Sequence, residues 1–271
     1  MAMSQAALAD TRQAFDSVAP DYAQQNDGNP LLRAMRARVL DALFDHVAPG
    51  AHVLDLGCGP GVDVVTLARN DYWVTAVDWS PAMVREAASR LAAAGLSSRA
   101  EVRNLGIDEI DQLAPVRFDA AYSNFGPLNC VPSLPLAASR IAARLRPGGL
   151  LVASVIGCVC PWEIAVHLMR RDWRRARVRF SRQAVPVPLN GRTVWTQYYT
   201  PSRFERIFAD AGFCRVRLCA LALFSPPPYL DGFAARHPSL VRALQRLDQR
   251  FGDSWPFREW GDHFLIVMEK R

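Results

Sequence analysis

Val53-Leu-Asp55-Leu-Gly57-Cys-Gly59-Pro-Gly61 is the stretch on which the reading of this chain turns. Residues 51–56 are a short apolar run of strand length. Three glycines at alternate positions then form a turn in which backbone, not side chain, faces whatever binds there. Helical periodicity resumes over residues 61–69. A strand, a glycine turn and a helix in that order open an alternating α/β sheet.

The alternation continues outward from this point. Trp73–Val77 reads as a second strand. Ser80-Pro81 opens the next helix, with Ser80 as N-cap and Pro81 in the first turn. Strands are expected over residues 100–103, 118–122 and 150–155, and a helix over 134–145, ended by Pro147-Gly148-Gly149. Upstream, residues 1–30 are polar and close on Asn26-Asp27-Gly28-Asn29-Pro30, a turn cluster. A helix follows, with Leu31, Met35, Val39, Leu43 and Val47 recurring every four residues. Downstream, residues 157–200 break the rhythm. Asn190-Gly191 between β-prone runs signals a hairpin there, and the whole stretch reads as an inserted cap. A helix over 201–211, a strand over 214–224, a helix near 238–251 and a closing strand over 263–269 complete the chain. The expectation is one domain over 1–271: lid helices 1–48, a core 49–156, the cap 157–200 and a closing part 201–271.

Composition excludes several classes. The chain has 271 residues, 50% of them hydrophobic and 21% charged, which suits one large packed unit and not a disordered protein. Lysine plus arginine total 32 against 26 acids, for a net charge of +6. Lys270 is the only lysine, so a lysine Schiff base is confined to the extreme C-terminus. The six cysteines are scattered; Cys158-Val-Cys160 lacks the two-residue spacer of a zinc or redox motif, so no metal is expected. Buried free thiols point to a reducing cytoplasm. Neither a signal peptide nor a membrane span is legible.

Two acids sharpen the glycine loop. Asp78 ends the second strand, 19 residues after Gly59, where a carboxylate hydrogen-bonds a ribose diol. Val62 stands where a dinucleotide fingerprint has its third glycine. Asp55 precedes the loop, where it would oppose a pyrophosphate but suit a cationic amino group. A ribose with a nearby positive charge describes S-adenosylmethionine.

At these residues the chain resembles the class I S-adenosylmethionine-dependent methyltransferases, in particular the UbiE/BioC-like group (methyltransferase types 11 and 25) acting on small molecules. Gly57, Gly59 and Gly61 match the first motif. Val74-Thr-Ala-Val-Asp78-Trp79-Ser80-Pro81-Ala-Met83 matches the second, Phe118–Phe125 the fourth, and Leu145-Arg-Pro147-Gly148-Gly149 the turn before strand five. The resemblance implies a Rossmann-like seven-stranded sheet of order 3-2-1-4-5-7-6, with helices on both faces and the cap inserted after strand five. It implies that Asp78 holds the ribose, that Trp79 and Met83 pack on the adenine, and that Gly106 and Ile107 flank it. Asp108 stands in for the acid the family has at position 106. Asn124 would lie under the methionine part. The segment Phe15–Tyr22 resembles the cofactor lid, with Tyr22 closing over the sulfonium or carboxylate.

The acceptor is read from the remaining polar and aromatic residues. His263 begins the antiparallel strand at the ligand end of the sheet and is the preferred general base; His167 and His237 are weaker candidates. Phe125, Trp162, Glu163, Trp195, Tyr198 and Tyr199 are candidate pocket lining, weighed against forming the cap's own core. Arg170, Arg171, Arg174, Arg175, Arg177 and Arg179 are either a solvated face or a grip for an anionic partner, with an acyl-carrier protein as the named candidate. Nucleic acid is not expected, because strand four ends in Ser123-Asn-Phe-Gly-Pro127 and no RNA-binding module is present. The expected function is methyl transfer to a small organic acceptor, at oxygen, in specialised-metabolite or quinone-like biosynthesis, releasing S-adenosylhomocysteine. The alternatives are carboxyl methylation of a carrier-protein substrate, N- or C-methylation, and a non-catalytic S-adenosylmethionine-binding regulatory partner. A homodimer is left open.

Overall fold

A computed structural model describes residues 3–271. Two helices come first, α1 (Gln5–Gly28) and α2 (Pro30–Phe44). The polar N-terminus is thus one 24-residue helix that runs through Pro20. Its periodicity is weak in sequence because its buried stripe is made largely of alanines, Ala7, Ala14, Ala19 and Ala23. Asn29 separates the two helices and caps the second, accepting from the amides of Leu31 and Leu32. The four-residue apolar stripe of α2 is buried, as its spacing requires.

The alternating segment follows: β1 (His52–Leu56), α3 (Val62–Arg69), β2 (Trp73–Asp78), α4 (Pro81–Ala93), β3 (Ala100–Asn104), β4 (Phe118–Ser123), α5 (Leu134–Arg144) and β5 (Leu145–Ile156). Ser80 caps α4, its hydroxyl accepting from the Met83 amide at 3.1 Å. Pro147-Gly148-Gly149 does not precede β5 as expected from sequence. It lies inside it, at an irregularity where pairing with β4 jumps from Phe118–Leu145 to Ala120–Leu150.

The cap contains α6 (Pro161–Met169), the single turn α7 (Trp173–Ala176) and the hairpin β6 (Val185–Leu189) with β7 (Arg192–Thr196). Asn190 and Gly191 both have positive φ, 48° and 73°, as a tight primed turn demands. Then come α8 (Pro201–Asp210), β8 (Phe213–Leu221), α9 (Asp231–Arg236), α10 (Pro238–Phe251) and β9 (His263–Lys270). β8 stops at Leu221, three residues short of the expected end, because Ala222 turns out at φ 51°.

The main sheet has seven strands in the order β3-β2-β1-β4-β5-β9-β8. The first five are parallel, and β9 runs antiparallel between β5 and β8. Because the hairpin takes numbers six and seven, this is the 3-2-1-4-5-7-6 order expected from sequence. Neighbouring residues of β1 enter opposite cores. Val53 packs with α2, α3 and α4, while Leu54 and Leu56 pack with α5 and α8. On the latter face Phe204 and Phe208 stack at 4.6 Å, fully buried. Truncating either to alanine should cost about 3–5 kcal/mol. Asp55 shares the Val53 side, which aims a carboxylate at the helix-covered crevice beyond the strand ends.

Candidate cofactor site

The parallel strands end at one crevice, the position where open α/β sheets bind ligands. A cavity of about 300 Å³ opens there. Its lining follows the strand order, from the ends of β3 and β2, past β1, to β4, β5 and the cap hairpin.

Each glycine of the loop has its own reason. Gly57 turns the chain at φ 77°, and a Cβ there would run into the Pro127 ring. Gly61 caps α3 at φ 79°, and a Cβ would sit 2.8 Å from the Ala87 Cβ, so α3 and α4 could not approach. A Cβ at Gly59 would meet nothing within 4 Å; the space above it belongs to the cavity.

Asp78 clasps this loop from the end of β2. One carboxylate oxygen accepts from the Gly59 amide and the other from the Ser80 amide, both at 2.9 Å. Burial pushes its pKa up, the two amides pull it back in part, and Asp16 adds repulsion, leaving it raised to about 6. Asp16 of α1 also accepts from the Ser80 hydroxyl at 2.6 Å, tying α1 to the start of α4. Trp79, Met83, Gly106, Ile107 and Asp108 line the cavity at this end.

Asp55 lies in the middle and is 2% exposed. Its Oδ2 is buried with no hydrogen-bond partner among the described residues. Burial pushes its pKa well above the carboxylate range, and Asp63 and Asp78 add to the rise. Asp63, from the first turn of α3, accepts from Asn124 Nδ2 at 3.0 Å and Tyr122 Oη at 3.2 Å, and pairs with Arg36 Nε at 2.8 Å. Burial raises its pKa despite that cation. Arg36, the only cation lining the cavity among the described residues, stacks over the Phe125 ring at 5.2 Å. Asp55, Asp63, Asp78 and Asp108 against this one cation leave the cavity short of positive charge.

The far side is largely apolar. Phe15, Tyr22, Phe125, Val131, Ile156 and the hairpin residues Val187, Leu189 and Val194 line it. Phe125 holds φ 61°, and its amide donates to the Ser154 hydroxyl at 2.7 Å. Burial raises the Tyr22 hydroxyl, and burial pushes the Cys130 thiol up to about 12, so neither supplies a ready anion.

Several expected residues lie elsewhere. His263 does not line the cavity. Its Nδ1 bonds Asp262 Oδ2 at 2.9 Å, and its ring meets Phe125 edge-on at 6.3 Å, so Phe125 faces the cavity in its place. Trp162 is not pocket lining either: its Nε1 donates to the Phe224 carbonyl at 2.9 Å, anchoring α6. Tyr198 packs under the Arg179 guanidinium, and Tyr199 packs against Phe204 in the core. Trp195 Nε1 donates to Asp10 of α1 at 3.2 Å. Trp162, Trp195, Tyr198 and Tyr199 thus hold the cap in place, and its aliphatic hairpin supplies the lining. His167 and His237 are also outside the cavity; the latter stacks on Phe233. The ligand atoms of Cys160, Glu163 and Asp262 lie within 4.8 Å of one another, close enough to share a metal ion. However, Arg179 already supplies a cation there, 2.5 Å from Glu163 and 2.8 Å from Asp262.

The general methyltransferase-domain family matches residues 53–149. The chain is 33% identical over 181 residues to a malonyl-acyl-carrier-protein O-methyltransferase of Enterobacter lignolyticus, covering 66% of each protein. This chain belongs to the class I S-adenosylmethionine-dependent methyltransferases. A second relative of this methyltransferase, a ubiquinone biosynthesis O-methyltransferase of Xanthomonas campestris, is 37% identical over 127 residues, or 46% of this chain and 52% of that one. The chain therefore spans between about half and two thirds of the length of these curated relatives. In fold it resembles a Burkholderia thailandensis 1,6-didemethyltoxoflavin N1-methyltransferase solved with its namesake and S-adenosylhomocysteine. The TM-score is 0.61 at 18% identity, covering all of this chain and 91% of that one.

S-adenosylmethionine is the cofactor, and the crevice suits it chemically. The unpartnered Asp55 oxygen and the excess of carboxylates call for a cationic ligand, and the open space over Gly59 admits one. Asp63 and Arg36 were not singled out in the sequence. The one signal was an acid in the first turn after the glycine loop, which helix-end electrostatics explains equally well.

Proposed function

We propose that this protein transfers a methyl group from S-adenosylmethionine to the oxygen of a small, largely apolar organic acceptor. The carrying observation is a cavity that is acidic in its middle, where Asp55 has an orphaned carboxylate oxygen, and apolar on the side facing the lid helix and cap hairpin. In this reading Asp78 accepts from the ribose hydroxyls. Trp79, Met83 and Ile107 enclose the adenine, and Asp108 meets its amino group. Asp55 and Asp63 face the ammonium group, Arg36 faces the carboxylate, and Asn124 supports the chain between them.

When bound, the cofactor supplies an electrophilic methyl on a sulfonium. The chain's own contribution is alignment and exclusion of water, which suits an in-line displacement. Tyr22 and Phe125 hold the acceptor against the methyl, and their ring faces tolerate the positive charge. Methyl transfer to the acceptor oxygen would break the carbon–sulfur bond and release S-adenosylhomocysteine, and the acceptor's proton would pass to solvent. No histidine lines the cavity among the described residues, so this reading assigns no imidazole base.

The naming of both curated relatives as O-methyltransferases supports oxygen as the acceptor atom. The test is a screen with methyl-labelled S-adenosylmethionine against phenols, enols and free carboxylic acids, with a malonyl carrier protein as a separate arm. Label in a phenol or enol supports the proposal. Label only in the malonyl carrier protein replaces it with carboxyl methylation, and label only on nitrogen or carbon refutes the assignment to oxygen.

A further inference from the structure

One surface is not used by the site described above. Between Met169 and Arg182 the cap runs Met-Arg-Arg-Asp-Trp-Arg-Arg-Ala-Arg-Val-Arg-Phe-Ser-Arg. Arg179 is buried, and the other six arginines of this run are exposed. Asp172 is the only acid in the run, and only Arg175 pairs with it, at 3.4 Å. Interleaved with these charges, Met169 is 77% exposed, Trp173 60% and Phe180 51%. Leu168 and Val178 are exposed beside them. Large apolar side chains left in water next to unneutralised arginines need a reason, since an ordinary solvated charge run keeps its apolar residues inward.

The segment is firmly seated. Arg179 reaches inward from it to Glu163 and Asp262, and its guanidinium also donates to the Gly157 and Asp262 carbonyls at 3.3 and 3.2 Å. The exposed side chains are therefore carried outward on a fixed base.

We propose that this face of the cap is a peripheral docking surface for an anionic phospholipid bilayer. The protruding tryptophan, methionine and phenylalanine would enter the headgroup–acyl boundary, and the arginines would pair with lipid phosphates. Charge complementarity selects an anionic partner. Single apolar side chains alternating with arginines along short turns favour a soft, continuous surface over a protein, whose acids would have to match each cation. Arginine suits this setting because its planar fork binds phosphate in a bidentate way. No described helix is long and apolar enough to cross a membrane, so attachment would be to one leaflet.

The test is co-sedimentation of the whole chain with vesicles of phosphatidylcholine alone and with about one third phosphatidylglycerol. The proposal expects partitioning to be at least about tenfold stronger on the anionic vesicles. Arg170→Ser, Arg174→Ser and Arg177→Ser together should reduce it by about tenfold to a hundredfold. The charge-matched triple Arg242→Ser, Arg246→Ser and Arg250→Ser on α10 should leave most of it. Met169→Ser with Trp173→Ser should weaken it several-fold at unchanged charge. Retained binding of S-adenosylhomocysteine shows that each variant is folded. Failure to bind anionic vesicles overturns the proposal. So does equal loss in the two arginine triples, which would mark mere adsorption of a basic chain, or no loss on removing Met169 and Trp173. Vesicles ignored while an acidic acyl-carrier protein is bound through the cap arginines would make the face a protein-docking site instead.

Discussion

Replacing Asp55 by asparagine keeps the shape of the side chain and removes its charge, and it should move stability and cofactor affinity in opposite directions. The carboxyl is 2% exposed, one of its oxygens has no partner, and Asp63 and Asp78 both repel it. An unsatisfied buried polar group costs about 1–3 kcal/mol, more if charged, and an amide removes only the charge-dependent part. A gain of about 1–2 kcal/mol in the free protein is therefore expected, or roughly 2–8 °C in melting temperature for a chain of this size. The sign with pH follows from the raised pKa. The folded carboxyl holds its proton more tightly than the unfolded one, so the wild type recovers stability as pH falls. The gap between wild type and Asp55→Asn should be widest near neutrality and close toward the ordinary carboxylate range. With ligand, the same change removes a charged partner of the ammonium group, at about 2–3 kcal/mol, or about 30- to 150-fold in Kd. Thermal melts across pH and calorimetric titration with S-adenosylhomocysteine read both effects. An unchanged Kd together with an unchanged or lower melting temperature would refute this role of the Asp55 carboxylate.

Other outcomes follow from the same geometry. Asp78→Ala should remove measurable cofactor binding, and wild-type affinity should decline as pH falls below about 6, because the ionised carboxylate clasps the glycine loop; titration calorimetry from neutral to mildly acidic pH checks this. Arg179→Met leaves Glu163 and Asp262 as buried uncompensated carboxylates and should cost about 3–5 kcal/mol. Burial raises the Asp262 carboxyl, but Arg179 and His263 outweigh it and hold it well below the usual range. That stabilisation is present at neutral pH and fades in acid, so the melting deficit of Arg179→Met should shrink on acidification. His263→Ala should leave cofactor affinity unchanged and lower turnover by no more than a few-fold; a loss of about a hundredfold would restore the imidazole as a base.

Much of the fold was legible because local chemistry and global topology agree. The glycine loop, the Ser80-Pro81 helix start and the Asn190-Gly191 hairpin are each decided by residues within a few positions of one another. Helix α1 was less so: its buried face is largely alanine, which carries little hydrophobic contrast, and Pro20 lies within it. At the site, the acids flanking the loop could be found from their spacing along the chain. Arg36 and Asp63 could not, since they meet only when α2 packs across the start of α3. The cap aromatics misled for a related reason. Tyr198, Tyr199 and Trp162 have the composition of a pocket wall, but their partners Arg179, Phe204 and Phe224 lie elsewhere in the chain and turn them away from the cavity. His263 sits at the expected end of the sheet, yet the one-residue step to Asp262 and the Phe125 ring decide where its imidazole points.

In the proposed function, the acidic middle of the cavity recognises the amino-acid part of the cofactor. The most direct measurement compares S-adenosylhomocysteine with 5′-methylthioadenosine, which has the nucleoside but lacks the amino-acid part, against the wild type and Asp55→Asn by calorimetry. Single-site binding of S-adenosylhomocysteine is expected, at least about tenfold tighter than methylthioadenosine, with most of that difference gone in Asp55→Asn. Equal affinity for the two ligands, or a difference that survives the substitution intact, would contradict it.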